Sequence, residues 1–206
     1  MDDKTKTILL IIIGIIFLVY GLFAMGYAIY RGKPDWIFWA CYVVMVIMGI
    51  ASFMRSGYLI AAGLSVVATY LITLDVDFLY QLIFGKPLWG ITNYFFKELF
   101  LAARLISLEH LFLVPLGLFA IYLTGLKRKD HWKISIMATM AIMGATLLLT
   151  NPSYNVNCAF ISCIPVFSNV PYYSLTWLLF IIATIFVNAF IINKLFYRKE
   201  ADKDKS

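Results

Sequence analysis

Glu109 and His110 stand side by side in an otherwise apolar stretch, residues 105–124, and Asp75 and Asp77 lie near the end of another, residues 58–84. An imidazole beside carboxylates can act as a general base or as a cation near neutral pH. A carboxylate held against the ring can orient it, as in catalytic dyads. On this reading His110 is the base, Asp77 its orienter and Glu109 a further acid–base group. Asn155 and Asn157 would donate to a developing oxyanion. Ser107, Thr92 and Cys158 are the candidate nucleophiles, none with a motif behind it. The same residues also fit a polar pair that stitches two helices together, with Pro115 freeing a carbonyl that must be satisfied too.

The surrounding polar residues extend this set. Asp75 and Asp77 are two apart and occupy different faces of a helix; Asp77 is the one expected inward, because residues 89–94 must fold back near it. Arg104 can pair with Glu109, five residues on, or hold a lipid phosphate. Asp75, Asn93, Arg104, Asn155 and Asn157 make up the candidate ligand-binding set. Cys158 and Cys163 bracket four residues of a loop read as extracytoplasmic, where a disulfide is the leading reading and a catalytic Cys158 the alternative. Cys41 reads as packing. No metal and no other cofactor is expected, since His131 falls at the opposite end of the helices and leaves one histidine with carboxylates. No phosphate-binding glycine loop, nucleophile elbow or zinc-protease helix motif is present.

What positions these groups is set by composition. Of 206 residues, 63% are hydrophobic and 14% charged, against about 25% charged in an ordinary soluble domain. A soluble chain of this length has too little polar surface to cover such an excess, which excludes a soluble enzyme, a nucleic-acid binder and a disordered chain. About 20 apolar residues cross a bilayer, and six runs qualify, at residues 8–30, 36–54, 58–84, 105–124, 134–150 and 174–193, before a basic tail at 194–206. The expected fold is a single all-α domain, a six-helix transmembrane bundle. Alternate connections and the two tails together hold 12 Lys and Arg, and the remaining connections hold 5. By the positive-inside rule both termini are then cytoplasmic, in a multi-pass protein of the cell membrane. Membrane lipids are the expected partners, with other membrane subunits a further possibility and nucleic acid excluded. The basic tail (Arg198, Lys199, Lys203, Lys205) suits anionic headgroups.

Depth follows from the rise of a helix. Asp75 lies about 25 Å along its helix from Tyr58, near the outer boundary, and Glu109 and His110 only about 6–8 Å below that boundary. Segments 85–104 and 151–173 are long connections. The first is expected to carry a short interfacial helix after Thr92; the second, with Pro152, Pro165 and Pro171, is expected to fold back over the helix ends. The spacing of Gly14, Gly21 and Gly26 favours close helix approach.

Asp77 at a span end, Gly90-Ile91-Thr92-Asn93-Tyr94, the run from Leu105 to His110 followed by Pro115, and Asn155-Val156-Asn157 resemble an uncharacterised family of small prokaryotic polytopic integral membrane proteins. That family shows a span-end Asp, a Gly-x-Thr-x-Tyr loop, a Leu-Ser-Leu-x-His…Pro helix and an Asn-x-Asn loop. The likeness covers roughly residues 70–160 and departs at Glu109, where the family has an aromatic residue or His, and at Cys158 with Cys163. It implies a multi-pass membrane protein and singles out residues, not a reaction. A fainter likeness, a His followed by Pro in a span and then an Asn-rich outer loop, is to bacterial six-span relatives of the eukaryotic membrane acyltransferases and threonine hydrolases. The leading functional expectation is an accessory or structural membrane subunit with a polar cluster at the extracytoplasmic leaflet. The alternatives are a lipid hydrolase or acyl-transfer enzyme with His110 as base, and a small-solute or proton-coupled carrier.

Overall fold

The computed structural model describes residues 1–96, 100–164 and 170–197. Pro165, Lys97 and the basic residues of the tail lie outside them. The described residues are helical, with no strand beyond an isolated bridge between Leu126 and Tyr197. The helices in chain order are α1 (Asp3–Tyr30), α2 (Ala40–Phe53), α3 (Gly57–Phe84), α4 (Asn93–Phe96), α5 (Leu101–Ser107), α6 (Glu109–Thr124), α7 (Trp132–Leu149) and α8 (Tyr173–Phe196). Five helical stretches, with α5 and α6 counted together, are long and apolar enough to cross a membrane; α2 is apolar but only 14 residues long.

α3 is the axis. It packs against α2, α6, α7 and α8, and 56% of its most apolar window is buried against 22% for α8, so α3 supplies core while α8 turns most of its apolar surface outward. Phe17, Met45, Met48, Leu64, Leu71 and Leu113 fill the centre. Ser56 caps the start of α3 by accepting from the Leu59 N–H, and Gly85 ends it in the left-handed region at φ 69°, which glycine enters without a Cβ clash. α1 and α2 approach closely where two glycines face each other: a Cβ on Gly14 would lie 3.1 Å from the Gly49 carbonyl oxygen. Gly21 meets Val46 and Tyr42 on the same interface, whereas Gly26 has open space around it.

Two segments differ from the sequence expectation, each for a tertiary reason. The run 36–54 is broken: Pro34–Phe38 forms a 3-10 turn and Trp39 is extended before α2 begins. The break is held from outside, since the Asn157 amide donates to the Phe38 carbonyl and its Oδ1 accepts from the Ala40 N–H, both at 2.8 Å. The run 105–124 begins earlier, at Leu101, and is interrupted at Leu108 between α5 and α6. Glu109 therefore lies about 12 Å along this helical stretch from its start, farther than the about 6 Å that a start at Leu105 gives. The helix expected after Thr92 is present among the described residues as the single turn α4.

The end of the bundle carrying Asp3, Arg55 and segment 125–131 is polar and paired. Arg55 binds Asp3, and Arg128 binds Asp130 at 2.9 Å. His131 is fully buried there, and burial holds its imidazole below the ordinary range. The other end is capped, among the described residues, by 31–39, 85–96 and 150–164.

Candidate functional site

At the capped end, Asp77 is fully buried and its carboxylate is the anchor of the connection that follows α3. Oδ1 accepts from the backbone N–H groups of Leu88 (3.0 Å), Trp89 (2.6 Å) and Gly90 (3.2 Å). Oδ2 accepts from the Thr92 N–H at 2.8 Å and the Thr92 hydroxyl at 2.7 Å. Successive backbone N–H groups curled around an anion form a nest, and Gly90, at φ 82°, supplies the turn it needs. Both oxygens are committed to the connection, so Asp77 is not an orienter of His110, and Thr92, whose hydroxyl serves Asp77, is spent as well.

The second connection is locked in the same manner. Asn157 donates to the Phe38 carbonyl and to the Thr146 hydroxyl at 2.8 Å each, and its own carbonyl accepts from the Trp177 indole at 2.9 Å. One residue thereby ties together the start of α2, the end of α7 and the start of α8. Asn155 accepts from the Phe160 and Ile161 N–H groups and donates to the Ile161 carbonyl. Both asparagines sit at positive φ, 44° and 55°, a region that Asn tolerates better than most residues. Their amides are consumed by the fold and are not aimed at a reacting group. Cys158 and Cys163 are joined in a disulfide, which removes Cys158 as a nucleophile.

Glu109 and His110 are in a different situation. They open α6, side by side, with Glu109 fully buried and His110 only 9% exposed. His110 Nε2 lies 3.5 Å from Glu109 Oε1. Neither Glu109 oxygen has a hydrogen-bond partner among the described residues, and neither does His110 Nδ1. Across from them is Cys41, in the first turn of α2, whose sulfur lies with a Glu109 oxygen and a His110 nitrogen in a cluster no wider than 4.8 Å. Cys41, expected from the sequence to be packing, is buried in the core, and its nearness to Glu109 and His110 was not anticipated. Its signal was position: it lies two residues past Trp39, at the capped end where Glu109 also lies.

This cluster forms part of the wall of a cavity of about 370 Å³ between α1, α2, α3 and the α5–α6 stretch. The rest of the wall is aromatic and aliphatic, with Trp36, Trp39, Tyr42, Tyr70 and Tyr94 among its members. A second cavity, about 170 Å³ between α3, α7 and α8, shares Trp39, Cys41 and Tyr70 with the first. Asp75 and His110 border a narrow cleft against α4, in which Asp75 Oδ1 is buried without a partner. Ser107 lines the large cavity, its hydroxyl donating to the Ala103 carbonyl at 3.0 Å. Asn93 and Arg104 are exposed and line none of these spaces. The Arg104–Glu109 pairing that the sequence allows is not formed, since the Glu109 oxygens have no hydrogen-bond partner among the described residues and lie beside His110 and Cys41.

The chain matches no protein-family model, no curated protein and no solved structure. Its chemistry is therefore argued from the residues themselves: a buried acid, imidazole and thiol facing an apolar space can bind a polar headgroup, move a proton or ligate a cation.

Proposed function

We propose that this protein is a six-crossing integral membrane protein of the cell membrane, with both termini cytoplasmic, that binds an amphipathic molecule in the cavity at its extracytoplasmic end. Residues 34–53, the 3-10 turn with α2, would make the crossing that α2 is too short to make alone. The orientation rests on the 12 Lys and Arg on one side against 5 on the other. Under it, the locked connections and the cavity lie in the outer leaflet.

The observation that carries the binding role is Glu109, a fully buried carboxylate with both oxygens unpartnered on the wall of an apolar cavity. A buried polar group without a partner costs several kcal/mol, and buried ionisable residues inside membrane helices mark function by default. A cavity of this size is that of a small-molecule site, apolar over most of its wall with a few convergent polar groups. The aromatic wall suits the apolar body of a membrane lipid or similar amphiphile; Glu109 and His110 suit its polar end. A purely structural accessory subunit would satisfy its buried polar groups internally, which describes Asp77 and Asn157 but not Glu109.

Native mass spectrometry of the detergent-purified protein tests this. A defined adduct on the wild type that is lost or much reduced in Glu109→Gln and His110→Ala supports the reading. A wild type free of any adduct but detergent, or an adduct held equally by folded variants, refutes it.

A further inference from the structure

We propose that Cys41, Glu109 and His110 together bind one zinc ion at the wall of this cavity. The inference rests on the reading that this wall is a binding site, and it specifies what the polar end of the site contains.

Geometry comes first. In a tetrahedral zinc site, nitrogen and oxygen donors each about 2.1 Å from the metal stand about 3.4 Å apart. The Glu109 Oε1 to His110 Nε2 separation of 3.5 Å already matches that edge. The Cys41 sulfur completes a set in which all three donor atoms lie within 4.8 Å of one another. Cys41 is also free to serve, because the other two cysteines are bonded to each other.

Charge and donor chemistry agree. A thiolate and a carboxylate bring two negative charges, an imidazole none, and a divalent cation cancels them. A neutral assembly is the form in which such groups are least costly among apolar neighbours. One sulfur, one nitrogen and one oxygen suit zinc, whereas magnesium and calcium prefer oxygen donors throughout. The metal would also join α2 to α6 and give the Glu109 oxygens, which have no hydrogen-bond partner among the described residues, a partner. All three residues line the large cavity, so the fourth coordination position opens onto it. Three protein ligands with one open position is the pattern of catalytic rather than structural zinc sites.

The test uses full-length protein in detergent, with any affinity tag removed. Metal content is measured by elemental mass spectrometry, and the chelator-treated protein is then titrated with Zn²⁺ and, separately, with Co²⁺. The proposal expects about one zinc per chain after reconstitution, a thiolate-to-cobalt charge-transfer absorption in the wild type, and binding weakened at least about tenfold in Cys41→Ser and His110→Asn. The cobalt spectrum keeps the proposal falsifiable if a variant fails to fold, since it needs only the wild type. Folded wild type that takes up neither ion, or cobalt bound without the thiolate band, overturns it; so does zinc held equally by Cys41→Ser. Native mass spectrometry separates the two claims. An organic adduct that depends on Glu109 in a protein that takes up no zinc overturns the metal alone, whereas zinc bound with no organic adduct overturns only the amphiphile.

Discussion

Asp77 and Glu109 are both fully buried carboxylates at the capped end of the bundle, and their neighbours share a cleft: Thr92, which bonds to Asp77, borders the same cleft as His110. Their surroundings are nonetheless opposite. Asp77 accepts five hydrogen bonds from one short stretch of chain; Glu109 accepts none among the described residues. Five bonds make Asp77 part of the architecture, because they fix the path of the connection that follows α3. A buried carboxylate without a hydrogen-bond partner costs the fold free energy, and that is the feature on which the proposed binding role rests. Between these two carboxylates, hydrogen-bond satisfaction and not residue type makes the difference.

Substitutions at the two groups should therefore differ in sign as well as size. Asp77→Ala leaves the buried Thr92 N–H and hydroxyl and three part-buried N–H groups without their acceptor and is expected to cost about 3–5 kcal/mol, or roughly 10 °C of melting temperature in detergent. A melting curve that does not move would abolish the distinction. Replacing both Cys158 and Cys163 with Ser opens a short loop of sequence separation 5 and should cost about 2 kcal/mol; reducing the wild type should lower its melting temperature by the same amount, and discordance between the two would count against the disulfide. Glu109→Met goes the other way. In chelator-treated, delipidated protein it should raise stability by about 1–2 kcal/mol, and a large loss there would make Glu109 another structural anchor.

The smallest effect belongs to His131, at the opposite end. Its folded-state affinity for a proton is lowered by burial, so the unfolded chain binds the proton more readily. Stability from this group is then fully present above about pH 6.5, the ordinary histidine value, and declines as pH falls below it. His131→Phe should flatten that part of a melting-temperature–pH curve, and an unchanged slope would assign the loss to other groups.

Much of the fold was legible because uninterrupted apolar runs leave few choices: residues 8–30, 58–84, 134–150 and 174–193 lie within a few residues of α1, α3, α7 and α8. The break at Trp39 was not, because it is imposed by Asn157, 118 residues away in sequence. Nor was the early start at Leu101, where alanines and an arginine continue the helix without adding to the apolar run. At the site, Glu109 and His110 stood out as ionisable groups in an apolar segment, but their companion Cys41 did not. A cysteine in a hydrophobic run has the same appearance whether it packs or ligates; only its level relative to Glu109 distinguishes it. The Asn155 and Asn157 amides misled for the converse reason, since polar residues in a proline-rich connection look available until their backbone partners are known.

The central claim is that the Glu109–His110 cavity takes up an amphipathic molecule, and site-specific photolabelling tests it most directly. Membranes containing the protein are irradiated with a diazirine-bearing fatty acid, and the labelled peptides are mapped with and without excess unlabelled fatty acid. Competable label on Tyr42, Tyr70 or Trp39, lost in Glu109→Gln, is the predicted result. Label confined to outward-facing residues such as Val19 and Phe190, which are 59% and 67% exposed, and indifferent to competitor would contradict it.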